Sequence, residues 1–185
     1  MEDLLAGAAI VRDAAARSPS FFCTRDVVQV NRRMIRGLVE ESLRQGWRRS
    51  RISLHPSPAS SFHEMVVFER GGLYGRPHKH LQKGESCAIL EGAVAFFVFD
   101  DHGRVIEAAT VSPEDTVICR VGANQWHAVI PVSDHAVYLE SKPGPFLGVN
   151  DSLYPDWAPD GSDPVRTQRY LEELLGQVGA RAGRG

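Results

Sequence analysis

The chain has 185 residues, 43% of them hydrophobic and 24% charged, with a formal net charge of -2. That length and composition suit one globular domain with a sizeable core, and the scattered Lys and Arg leave no extended basic face of the kind phosphate backbones require, so nucleic acid is not an expected partner. The sequence has no span of about 20 apolar residues, and the acidic start Met1-Glu2-Asp3 does not read as a secretory leader, so no membrane association and a cytoplasmic location are expected.

In chain order, Leu4 to Arg17 is Ala-rich and reads as a helix by propensity, ended by a turn at Ser18-Pro19-Ser20. Asn31 suits the N-cap of a second helix, in which Met34, Ile35, Leu38, Val39 and Leu43 recur at three and four residues until Gly46. The periodicity then shortens to strand-like runs: Arg51 to Leu54, Glu64 to Glu69, His78 to His80, Cys87 to Leu90, Ala93 to Asp100, Val105 to Val111, Thr116 to Val121, His127 to Ile130 and Ala136 to Glu140. Asp101-His102-Gly103 and Pro113-Glu114-Asp115 read as hairpin turns. Many short strands with such turns fit a double-sheet jelly roll. Beyond Gly144 the chain is Pro- and Asp-rich until Val165, Tyr170, Leu171, Leu174, Leu175 and Val178 outline a closing helix, and Gly179 to Gly185 reads as a loose tail. The divisions expected are a helical extension over 1–50, a metal-binding barrel over 51–146, and a loop, helix and tail over 147–185. An apolar face at Ala95, Phe97 and Phe99, if left in water, argues for a homodimer.

The chemistry concentrates between Gly72 and Gly92. In a strand His78 and His80 point to one side and Lys79 to the other, Glu85 follows, and His127 lies downstream. Three imidazoles and a carboxylate suit one divalent transition metal per chain (Fe, Mn, Ni, Co, Cu or Zn), and four protein ligands leave open positions on a six-coordinate ion. If the strand alternation runs back from His80, Arg76 and Tyr74 share the ligand face, where a guanidinium binds a carboxylate, phosphate or vicinal hydroxyls and a phenol orients a substrate. The alternative is that Arg76, which precedes Pro77, lies on a loop and Tyr74 covers a core edge. Glu140 ends a predicted strand, as an interior base or as an ordinary surface carboxylate. His55 is a further candidate. Cys23, Cys87 and Cys119 are widely spaced and odd in number, which fits reduced thiols.

The stretch Gly72, His78-Lys79-His80, Glu85, Gly92 resembles the first motif of the cupins, with each fixed position and spacing filled. The second motif departs from the pattern: His127 stands where its histidine ligand belongs, but the usual Pro, Gly and Asn are replaced by Gly122, Asn124 and Pro131. Within the cupins, Arg51-Ile52-Ser53-Leu54-His55, Pro77-His78-Lys79-His80, Gln125-Trp126-His127 and Glu140-Ser141-Lys142-Pro143-Gly144-Pro145 are similar to the WbuC-type metalloproteins associated with surface-polysaccharide gene clusters. The resemblance covers about residues 51–146. It implies an all-β jelly-roll barrel with helical additions at both ends, and a metal-dependent enzyme of a small, polar, sugar-related substrate acting by Lewis-acid catalysis, isomerase- or epimerase-like. A non-heme iron dioxygenase and a non-catalytic metal-dependent binding or regulatory module are the alternatives.

Overall fold

The computed structural model describes residues 9–182. They form two β-sheets packed face to face, with one helix on each outer surface. The larger sheet holds β1 (Ile10–Arg12), β2 (Ser20–Cys23), β3 (Arg49–Ser53), β4 (Phe62–Arg70), β10 (His135–Pro143), β5 (Glu85–Glu91) and β8 (Ile118–Val121), in that spatial order. The smaller sheet has the order β7 (Val105–Val111), β6 (Val94–Phe99), β9 (Trp126–Pro131). All pairings are antiparallel except β2 with β3. The all-β, double-sheet jelly-roll barrel with helical additions expected from the sequence is the fold observed.

Strand alternation builds the space between the sheets. Met65 and Val67 of β4, Cys87 and Ile89 of β5, and Ala136 and Tyr138 of β10 face Val94, Phe96 and Val98 of β6 in one buried cluster. The opposite faces are apolar too. Helix α1 (Arg32–Arg44) lays Met34, Ile35 and Leu38 on Phe21, Ile52, Val66, Phe68 and Val137. Its N-cap is Asn31, whose side chain accepts from the Met34 amide at 3.0 Å.

Helix α2 (Pro164–Ala182) places Leu171 and Leu174 on Ala95, Phe97, Phe99, Ala128 and Ile130. With both faces covered, the run Val94–Phe99 is apolar throughout rather than alternating, as in doubly buried strands. The face at Ala95, Phe97 and Phe99 that argued for a homodimer is therefore covered by the chain's own helix. No helix among the described residues is long and apolar enough to cross a membrane.

Four local expectations are corrected. The helix expected over Leu4 to Arg17 lies partly outside the described residues, and Ile10–Arg12 is a strand paired with Ser20–Cys23: tertiary pairing overrides the propensity of an Ala-rich stretch. His78 to His80 is not a strand of its own but two isolated bridges, His78 with His127 and Lys79 with Leu153. Pro113-Glu114-Asp115 turns the chain from β7 in one sheet to β8 in the other, so it is a corner between sheets and not a hairpin. Helix α2 runs through Gly179 to Ala182, where a loose tail was expected.

Gly92 carries the corner from β5 to β6. Its φ is +73°, and a Cβ there would lie 2.2 Å from the His135 carbonyl oxygen and 2.5 Å from Ser133 Oγ. Both the left-handed backbone and the close approach require glycine. Gly92→Ala is expected to destabilise the protein by about 1–3 kcal/mol, read as a lower urea midpoint with unchanged slope.

Candidate metal centre

The site is assembled by three separate pieces of backbone. His78 and His127 are direct partners: His78 N–H donates to the His127 carbonyl at 2.9 Å and His127 N–H returns the bond to the His78 carbonyl at 2.9 Å. This places their rings side by side, 4.4 Å between centroids. On the other side of the same segment, Lys79 and Leu153 exchange backbone bonds of 3.0 and 2.9 Å, and Asn124 N–H donates to the His80 carbonyl at 2.7 Å. Glu85 opens β5 across from Val121. The ligand atoms of His78, His80, Glu85 and His127 all lie within 4.8 Å of one another.

The imidazoles are oriented by backbone carbonyls. His78 Nδ1 meets the Arg76 carbonyl at 3.1 Å, His127 Nδ1 the Gln125 carbonyl at 2.9 Å, and His80 Nδ1 the Asp151 carbonyl at 2.5 Å. A carbonyl oxygen only accepts, so each Nδ1 carries the hydrogen and each neutral ring keeps its lone pair on Nε2. His80 Nε2 is 3.1 Å from Glu85 Oε2, and His127 Nε2 is 3.0 Å from Glu85 Oε1. In neutral rings these contacts set nitrogen lone pairs against carboxylate lone pairs, an arrangement that either a proton on Nε2, which makes the ring a donor to Glu85, or a metal cation reconciles. The donor set therefore fits a divalent transition metal, with the carbonyls as the outer partners that ligand histidines ordinarily have.

Burial sharpens the electrostatics. His127 is 1% and His80 2% exposed. Burial holds His78 neutral, lowering its pKa to about 4. His80 is shifted upward: burial opposes its charge, but the hydrogen bond to Glu85 outweighs that. Burial alone would raise Glu85, yet the hydrogen bonds from His127 and His80 leave it well below the usual carboxylate range.

A line of alternating charges runs through the barrel to this point. Arg49 Nε is 3.0 Å from Glu69 Oε1 and its NH2 4.0 Å from Glu140 Oε2; Lys142 Nζ is 2.9 Å from Glu140 Oε1 and 3.6 Å from Glu85 Oε2. Burial disfavours the Lys142 ammonium, but Glu140 and Glu85 hold it protonated, its pKa moved upward. Glu140, buried in the barrel, is lowered despite desolvation by Lys142 and Arg49.

Arg76 and Tyr74 lie on a loop, the alternative placement for Arg76 given above. Residues 73–77 carry no ladder, so strand alternation does not extend back from His78. The Arg76 guanidinium lies 4.9 Å from the Tyr154 ring centroid and donates to the Pro155 carbonyl at 3.3 Å, while Tyr74 Oη donates to the Pro159 carbonyl at 2.9 Å. Both fasten the segment after β10. That segment is also pinned by Asp151, 5% exposed, whose carboxylate meets the Lys83 ammonium and accepts from the Leu147 amide at 3.1 Å. Lys142, Asp151 and Lys83 escaped the sequence reading. Lys142 had a signal, being two residues from Glu140 and hence on its face; Asp151 had none, since it contributes through a backbone carbonyl.

His55 stacks on His63 at 4.1 Å with rings 3° from parallel. His55 Nδ1 sits 3.1 Å from the Glu64 amide, well placed to accept from it.

A family model described as a domain of unknown function (DUF6016) matches residues 30–111, under half of the chain. No curated protein matches it. Among solved structures, it is similar to a DMSP lyase at 22% identity and TM-score 0.41, over 53% of this chain and 46% of that one. It is also similar to oxalate decarboxylase from Bacillus subtilis, at 14% identity and TM-score 0.44, over 52% and 24%. A third is the capsular polysaccharide assembling protein CapF from Staphylococcus aureus, at 15% identity and TM-score 0.49, over 56% and 28%. The chain thus spans less than half the length of each.

A pH dependence follows from His55. Burial, then the charge of His63, lowers its pKa to about 4, whereas the unfolded chain takes up that proton near 6.5. Between these values the unfolded state binds more protons, so stability present above pH 6.5 is lost as the pH falls toward 4. From pH 7 to pH 5 this group accounts for a loss of about 2 kcal/mol. Urea unfolding of the wild type and His55→Phe at both pH values checks it: the variant should show the smaller drop.

Proposed function

We propose that the chain is a metal-dependent enzyme acting on a small polar, sugar-related metabolite, of the kind used in surface-polysaccharide pathways, by Lewis-acid catalysis. The observation that supports this reading is the convergence of three carbonyl-anchored imidazoles and Glu85 within 4.8 Å. His78, His80, Glu85 and His127 would hold one divalent transition ion. Such an ion, when bound, polarises a substrate oxygen or activates water, and a six-coordinate ion with four protein ligands has room for both partners.

The chain's own residues supply the rest. Lys142, 3.6 Å from Glu85 and kept charged by Glu140, is a donor to an oxygen-rich ligand beside the four ligands. Glu140 holds that ammonium in place through its contact at 2.9 Å. Asp151 fixes the His80 tautomer through its carbonyl. The sugar-related substrate is argued from the resemblance of the motifs and not from the site, because one fold hosts many chemistries.

Elemental analysis of protein purified without chelator is expected to give about one divalent transition metal per chain, and the His78→Ala, His80→Ala double variant none, since solvent replaces two inner ligands poorly. Stoichiometric metal in the double variant would overturn the assignment. Calorimetric titration of metal-loaded protein with sugar acids and nucleotide sugars tests the substrate class; Lys142→Ala should weaken binding of a responding ligand by about 1–3 kcal/mol.

A further inference from the structure

Cys87 and Cys119 are cross-strand neighbours on β5 and β8. Ile89 donates its N–H to the Val117 carbonyl at 2.9 Å, so that rung, and the rung 87/119 two residues away, are of the hydrogen-bonded kind, with Cα atoms about 5.5 Å apart. Side chains directly opposite each other share a face, and disulfides form at Cα separations of about 4.4–6.8 Å. Cys119 Sγ lies 3.8 Å from the Cys87 carbonyl oxygen, which sets its thiol against its partner residue. Cys87 is buried, whereas Cys119 is partly exposed. Cys23, 1% exposed, belongs to the cluster under α1 and takes no part.

We propose that Cys87 and Cys119 form a redox-active pair that closes to an intrachain disulfide on exposure to hydrogen peroxide. The Cys119 sulfur attacks one peroxide oxygen: an S–O bond forms, the O–O bond breaks, and the departing hydroxide takes the thiol proton as water. The Cys87 sulfur then attacks the Cys119 sulfenic acid: the S–S bond forms, the S–O bond breaks, and a second water leaves. Two thiols lose two electrons, and one peroxide is reduced to two waters. The bond adds a covalent rung to β8, the edge strand held by β5 alone in its sheet, two residues along from Glu85 and Val121 on the same face.

The test is peroxide treatment of the full chain as purified, followed by thiol counting under denaturing conditions, intact mass and peptide mapping. The chain's three cysteines should yield one titratable thiol, a mass lighter by two hydrogens, and a peptide joining Cys87 to Cys119. A dithiol reductant should restore three thiols. The cross-linked protein should melt about 5–10 °C higher. Cys119→Ser should abolish the cross-link and Cys23→Ser should leave it intact. Three thiols persisting after peroxide, oxygen added to Cys119 without a cross-link, or a cross-link that includes Cys23 would each overturn the proposal.

Discussion

The arrangement around Glu85 constrains much of what surrounds it. A carboxylate only 7% exposed, facing two imidazole nitrogens and an ammonium, is tolerable in a barrel interior only when its charge is answered at close range. The line Glu69, Arg49, Glu140, Lys142 extends that answer across the sheet, with Arg49 between two acids, Glu140 between two cations and Lys142 between Glu140 and Glu85. Removing Lys142 would take the nearest ammonium from both Glu140 and Glu85, which are buried, and leaving a buried charge without its partner costs more than the pair itself contributes. The barrel interior thus combines an apolar cluster that includes Phe96 with a polar file leading to the four donors.

The two helices make that interior possible. Each sheet is apolar on its outer as well as its inner face, and α1 and α2 cover those outer faces. Because the strands are fixed from both sides, side chains on the inner faces can be polar without loosening the sheet. Fixed strands in turn set the reciprocal bridge between His78 and His127, and so the spacing of the rings.

Much of this was readable in the residues. Eight of the nine strand-like runs correspond to strands of the barrel, because alternation and β-branched or aromatic content report a half-buried pleat directly. The four donors were legible from spacing, and they do converge. What the residues did not reveal was set by backbone arrangement. The alternation argument that carried Arg76 and Tyr74 into the site assumed a ladder that Pro77 and Gly75 interrupt. β1 and β2 were invisible because strands of three and four residues lack a period long enough to detect. Asp151 acts through its backbone, which no side-chain pattern encodes.

The bond from His80 Nδ1 to the Asp151 carbonyl spans 71 residues. During synthesis, a chain that has emerged only as far as β10 already carries all four donors, yet nothing fixes which nitrogen of His80 holds its proton. The donors are complete before their orientation is. A metal captured early would meet a histidine free to present either face, and only translation through the crossing segment commits it. The order in which the polypeptide leaves the ribosome is therefore written into the site as a delay between having ligands and having a coordination geometry.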